Sequence, residues 1–406
     1  MRRYDVIRQG VFFVLLLTVL TPFGLYGQED NEARNEKPQK TTFTFGGYAK
    51  LDWLVTNFRN GVPDISSPIL DIHIPGAIPV GESLNGYDTQ IHAKESRFNF
   101  EVRSSILGEP VRMFFEMDFL LSKGGDQRVS NSYNPRMRHF FFQYKTWTFG
   151  QTWTTFMTVE AIPDAIIFPG SADGLIFNRQ ALIRYNFKNW DFAIENPEST
   201  ILPYQGGQYG TSSGGIPDVV VKYNFRGTWG IIGVSSVLRT LRCVHDDAHI
   251  SHAIGFGLNA SGKINIGKRD DVRFMVTQGQ GLGRYIGLAF ITGAVLDEDN
   301  NIHPISSTNA VLSYLHHWND HWRSAVSYSF FRAEDNSSLT GGSANQYAWS
   351  GYVSLLYAPH PKLLFGIQAM YGYRQLENNV EGAMIRGQFS AKYNFSFGHT
   401  IYHKSK

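Results

Sequence analysis

The chemistry most easily read from residue type and spacing lies in the first half of the chain, where Arg97, Arg103, Arg112, Arg136, Arg138, Arg179 and Arg184 are interleaved with Glu101, Glu116, Asp118 and Glu195. A guanidinium is planar, permanently charged and offers paired donors, so a row of them suits brief capture of a carboxylate rather than proton transfer. Opposite charges held across a narrow, wet space would set up a transverse field for a passing solute. The same residues could equally brace a wall by pairing with one another.

Other constellations carry less. His245, His249 and His252 with Asp246 and Asp247 form the densest cluster, and one strand face could hold His245 and His249 as a metal or acid–base pair needs. No third ligand or serine motif is fixed by spacing, so solvated loop histidines are expected and no metal. His316, His317 and His321 beside Trp318 and Trp322 read as part of an aromatic girdle at a short turn. Gly279 to Gly283 lacks the lysine and helix of a phosphate cradle and reads as a turn. The single cysteine, Cys243, forms no intramolecular disulfide and reads as a small buried thiol. No catalytic signature survives, so an enzyme is not expected and no cofactor is implied.

The charged residues need elements that hold them toward water. Val111, Met113, Phe115, Met117 and Phe119 alternate with Arg112, Phe114, Glu116 and Asp118, while Ile385, Gly387, Phe389, Ala391, Tyr393, Phe395 and Phe397 alternate with Arg386, Gln388, Ser390, Lys392, Asn394 and Ser396. A period of two puts successive side chains on opposite faces of a sheet. Sixteen such segments recur between residues 43 and 397, most of them about ten residues or longer, as a tilted membrane strand requires. An all-β, transmembrane antiparallel barrel of sixteen strands follows, with both ends of the chain on the periplasmic side.

Buried arginine or lysine on the lipid face near the midplane costs about 2–4 kcal/mol, so parity becomes a pore map. Lys50, Asp52, Arg97, Glu101, Arg103, Arg112, Glu116, Asp118, Arg184, Lys222 and Arg226 are expected to face water. Arg136 and Arg138 share parity with Phe140 and Phe142, which demands a bulge near His139. Arg179 and Arg184 have opposite parity, so one of them must lie at a rim, loop or bulge. Gln151, Trp153 and Gln180 are candidates for lining a constriction, although an aromatic at a strand end also serves as an interface anchor.

No apolar run after the first thirty residues is long enough for a membrane helix. Arg2, Arg3 and Arg8 ahead of the apolar stretch Val11 to Leu20 read as a secretory signal over residues 1–27, with cleavage after Gly27. Without that leader's three arginines and one aspartate, 34 basic residues balance 34 acidic ones, which argues against nucleic acid as a partner. Residues 28–42 read as a short polar periplasmic lead-in, 43–397 as the barrel and 398–406 as a tail. Connections 57–90, 154–177 and 281–306 are too long for turns, and the unusually apolar 154–177 is expected to pack against protein, either folded into the lumen as a constriction or as a plain plug of the barrel wall.

Several motifs resemble the DcaP-like porin family: Gly47-Tyr48-Ala49-Lys50-Leu51-Asp52, Ser96-Arg97-Phe98, and Arg136-Met137-Arg138-His139. Gly150-Gln151-Thr152-Trp153-Thr154-Thr155-Phe156 is similar to that family's GQTWSTF. Arg179-Gln180 with Ile183-Arg184-Tyr185, and Ala193-Ile194-Glu195-Asn196-Pro197-Glu198, resemble two further motifs. The resemblance spans residues 46–198; from 199 to 397 only barrel pattern is legible. It implies a homotrimeric channel in the bacterial outer membrane, surrounded by outer-membrane lipid and favouring small anionic solutes, dicarboxylates among them. The heptad extension that some members place before the barrel is lacking, so any trimer is expected to rest on the barrel walls.

The expected function is passive diffusion of small, preferentially anionic solutes along Arg97, Arg103, Arg112, Glu116, Asp118, Arg136, Arg138, Gln151, Arg179 and Arg184. The alternative is a plugged surface-binding barrel, an adhesin or receptor acting through its long loops.

Overall fold

A computed structural model describes residues 39–121, 132–208, 210–213, 215–245 and 249–403; the leader read at 1–27 lies outside them. The wall strands are β1 (Gln39–Arg59), β2 (Gly86–His92 continued by Arg97–Ile106), β3 (Glu109–Asp118), β4 (Arg136–Tyr144), β5 (Trp147–Trp153) and β6 (Arg179–Phe187). They continue as β7 (Trp190–Glu195), β8 (Asp218–Gly227), β9 (Gly230–Val244), β10 (Ile250–Ile266) and β11 (Asp270–Gln280). The set ends with β12 (Ser306–His317), β13 (Trp322–Ala333), β14 (Asn345–His360), β15 (Leu363–Leu376) and β16 (Glu381–His403).

Seventeen hydrogen-bonded segments form this sheet, but the two halves of β2 pair end to end with the same strand, so the wall has sixteen strands. Each pairs antiparallel with its neighbours in sequence, and β1 also pairs with β16. Closure leaves no edge, the condition for a sheet to sit in hydrocarbon, where no water can satisfy a free N–H or C=O. Alternation does the rest. Along β1, Leu51 and Trp53 are exposed while Lys50, Asp52, Leu54, Thr56 and Phe58 are buried inside.

Short turns occupy one end. Leu107 and Gly108 both have positive φ, as a two-residue hairpin turn with the twist of its strands requires. The long connections occupy the other end, which is the asymmetry of an outer-membrane barrel. The strands outrun their expected limits: β1 begins at Gln39 and β16 runs to His403, into the stretch read as a tail. Polar cross-strand bonds, such as Thr42 Oγ1 with Thr400 Oγ1 at 3.2 Å, extend the ladder where apolar alternation fades.

The interior is not empty. Residues 154–178 leave β5, enter the barrel and follow its inner wall. Glu195 of β7 holds Thr154 and Thr155, and the Phe156 carbonyl accepts from Ser235 of β9 at 2.7 Å. The Thr158 amide donates to Ser261 of β10, and the Ile162 carbonyl accepts from Arg273 of β11 at 2.8 Å. Further on, Asp164 receives Arg323 of β13 and the Ile166 carbonyl receives Lys50 of β1. The segment returns along β13 and β12, where the Gly174 amide and carbonyl meet Ser329 and Asn309. A Cβ on Gly174 would stand 2.1 Å from the Ala310 carbonyl oxygen, so only glycine allows this approach.

Residues 281–305 pack beside it, joining Phe156, Met157, Leu175 and Ile176 to Tyr285, Ile286 and Phe290 in one buried cluster. Each such side chain contributes about 1.5–3 kcal/mol relative to exposure. The connection 196–217 went unnoticed as a long one in the sequence. It carries the strands Glu198–Leu202 and Gly210–Ser213, and the first of these pairs in parallel with Ala294–Leu296 of the neighbouring loop.

Candidate functional site

The inner loops cover the wall from β7 round to β15 and leave β2 to β5 facing the tip of 154–178. Two charged groups occupy this sector. Near the short-turn mouth, Glu101 takes a hydrogen bond from Arg112 and one from Arg103 at 2.9 Å. About 13 Å farther along β3, at roughly 3.3 Å per residue, stands the second group. Arg136 grips Asp118 with two bonds of 2.8 Å, and Arg138 donates to Glu116 at 2.7 Å and to Asp118 at 2.8 Å. Arg97 approaches Glu116 at 3.6 Å.

Three guanidiniums therefore share two carboxylates, and a positive excess stays on this side of the lumen. Arg138 is 1% exposed, its guanidinium held between Glu116 and Asp118. It reaches inward through a bulge: Met117 faces Met137 and Glu116 faces His139, so the partner strand skips Arg138. That is the irregularity demanded by the parity of Arg136, Arg138, Phe140 and Phe142.

The structure separates the remaining sequence-derived candidates. Arg103 lies at the short-turn mouth, its side chain 63% exposed. Arg184 points inward but is spent on the root of the loop, donating to Thr155 Oγ1 at 2.7 Å and to the Trp153 carbonyl. Arg179 has the opposite parity and sits at the loop end of β6, its guanidinium 4.5 Å from the centre of the Trp153 ring. Gln151 is a correction. It pairs with Phe140 and Ala181, both on the outer face, while Thr148 and Thr152 on either side of it are buried within. One residue of register turns Gln151 away from the lumen.

Sequence reasoning missed several interior residues. An inner cleft of about 230 Å³ is lined by Tyr48, Arg97, Asp164, Phe168, Arg323 and Lys392 among others. Lys392 sits on the wet face already visible in the alternation of β16, with Glu95 and Asp164 lining the same cleft. Phe168, at the loop tip, carried no signal, because an aromatic in an irregular segment has no parity to read. The histidine cluster is only partly described: His245 stacks on His249 with ring centres 5.8 Å apart, and Asp246 and Asp247 lie outside the described residues. Among the described residues no group of three metal-ligating side chains forms a metal site.

A closed sixteen-strand wall, apolar outside and charged inside, with short turns at one end and a loop folded into the lumen, defines an outer-membrane porin. Comparison with known proteins narrows this. The chain belongs to the DcaP outer membrane protein family, whose model matches residues 71–395, and it is thus an outer-membrane channel rather than an enzyme.

The outer membrane channel DcaP of Acinetobacter baumannii superposes with a TM-score of 0.73 at 17% identity, over 87% of this chain and 97% of that one. The anion-selective porin from Comamonas acidovorans gives a TM-score of 0.55 at 10% identity, over 88% of this chain and 100% of that one. OmpT of Vibrio cholerae, in its trimer form, gives 0.52 at 12% identity over 87% and 99%. At these identities the likeness is one of fold. No curated protein matches the sequence.

Proposed function

We propose that the chain is a passive, anion-favouring pore. Solutes enter between the long loops, shed part of their hydration where the tip of 154–178 faces β2 to β4, and pass Arg97, Arg136 and Arg138 down their gradient. The observation that carries this reading is the sharing of two carboxylates, Glu116 and Asp118, among three guanidiniums. Uneven compensation leaves a standing attraction for anions, and a hydrated path keeps binding weak enough for release. Small dicarboxylates suit such a path because two charges can be handed from one guanidinium to the next. Arg112 with Arg103 would form a second station at the periplasmic mouth. A homotrimer built on the barrel walls completes the proposal, in keeping with the trimeric OmpT that shares the fold.

The apolar packing of the inner loops favours the plugged, surface-binding barrel as a second reading. One experiment separates them: single-channel recording in planar bilayers under a salt gradient, repeated with Arg97, Arg112, Arg136 and Arg138 replaced by Gln. Stepwise conductance with an anion preference that the substitutions weaken is the expected result. A demonstrably folded barrel that stays silent would leave the plugged reading.

A further inference from the structure

The tip of the 154–178 segment is tethered differently on its two sides. Toward β1 and β13 to β15 it uses polar groups: Lys50 and Tyr352 donate to its carbonyls, Arg323 pairs with Asp164, and Gln368 accepts from the Ile166 amide. Toward the arginine wall it presents the ring of Phe168, backed by Phe177 with ring centres 5.2 Å apart.

That ring lies between two cations. Its centre is 5.1 Å from the Arg97 guanidinium carbon and 4.9 Å from that of Arg138. Arg97 in turn lies 5.2 Å from the Tyr48 ring, which also takes Lys392 at 5.0 Å. Cations and rings thus alternate from β16 to β4 in the order Lys392, Tyr48, Arg97, Phe168, Arg138. A ring attracts a guanidinium over its face without consuming the N–H donors along its edge. Consistent with this, Arg97 Nε has no hydrogen-bond partner among the described residues. Stacking fixes these cations in place, and Arg97 keeps 14% of its side chain exposed beside the cleft.

We infer that Phe168 sets the calibre of the channel and, by keeping Arg97 stacked between rings with only a 3.6 Å approach to Glu116, part of its anion preference. This assignment rests on the porin reading above.

The test uses the full chain refolded into detergent, with folding of each variant checked by circular dichroism and heat-modifiable gel mobility, then recorded in planar bilayers under a salt gradient. F168A is expected to raise single-channel conductance and lower the anion-to-cation permeability ratio, and F168W to lower conductance. F168L, apolar and large but without a π face, is expected to stay near wild-type conductance while its permeability ratio drops. Wild-type conductance and reversal potential in both F168A and F168W would overturn the assignment of calibre. An unchanged permeability ratio in F168L would overturn the role of the ring's face. If the wild-type chain itself does not conduct, the porin reading falls first and this inference with it.

Discussion

Lys50 of the first strand donates to the carbonyl oxygen of Ile166 at 2.7 Å, a residue 116 positions later in the chain. The same ammonium binds Glu95 and stands 3.1 Å from Asp52, with only 5% of the residue exposed. A single cation therefore bridges two buried carboxylates and ties down the inner loop.

Replacing it with methionine should destabilise the barrel by about 3–5 kcal/mol, because removal of one partner strands the other charges. The denaturant midpoint of Lys50→Met is expected to fall, and Glu95→Gln added to it should restore part of the loss. Recovery by the second change separates a charge effect from one of packing.

Asp118 is fully buried and receives three hydrogen bonds from two arginines. Asp118→Asn keeps the shape but frees a guanidinium edge and removes one negative charge. The reversal potential should move further toward the anion limit, opposite in sign to Arg138→Gln. A shift in the same direction for both would show that this cluster braces the wall without touching the permeating ion.

Glu195 anchors the root of the inner loop, accepting from Thr154 Oγ1 and the Thr155 amide at 2.6 Å each. Hydrogen bonds to a charged group contribute about 1.5–3 kcal/mol. Glu195→Gln retains an acceptor but not the charge, so the barrel should survive while the root loosens. Added flicker in open-channel recordings, without loss of the heat-resistant folded band, is the expected signature.

On the outer loops, hydrogen bonds from His303 and Asn301 hold the Asp297 carboxyl down at about 2. A depressed folded-state pKa stabilises the loop hairpin above the ordinary carboxylate range near ~3.9 and ceases to do so as pH falls through about 2. His303→Ala should move the midpoint of Asp297 up toward that ordinary range in a carbon-detected titration of the carboxyl. A midpoint that stays put would remove His303 as the main cause.

Most of the wall was legible in the sequence because lipid and water impose opposite demands on alternate residues. Val111 to Asp118 and Ile385 to Phe397 carry that pattern outright, and parity alone placed the bulge at Arg138 and His139. Glu198–Leu202 and Gly210–Ser213 escaped because short strands in a loop hydrogen bond to another loop, not to the bilayer's two solvents. Gln151 was misplaced because a motif match fixes identity, whereas the face a residue occupies is set by register. Arg184 carries the inward parity expected of it, but its partners, Thr155 and the Trp153 carbonyl, depend on a path of the chain that no periodicity encodes.

The inner loop is fastened to strands far from it in sequence on both sides, Lys50 ahead of it and Gln368 behind it. The Ile166 amide donates to Gln368, 202 residues downstream, and contacts so distant in sequence slow folding because a large loop must close to make them. The seat of the loop therefore exists only once strands from both ends of the chain have come together.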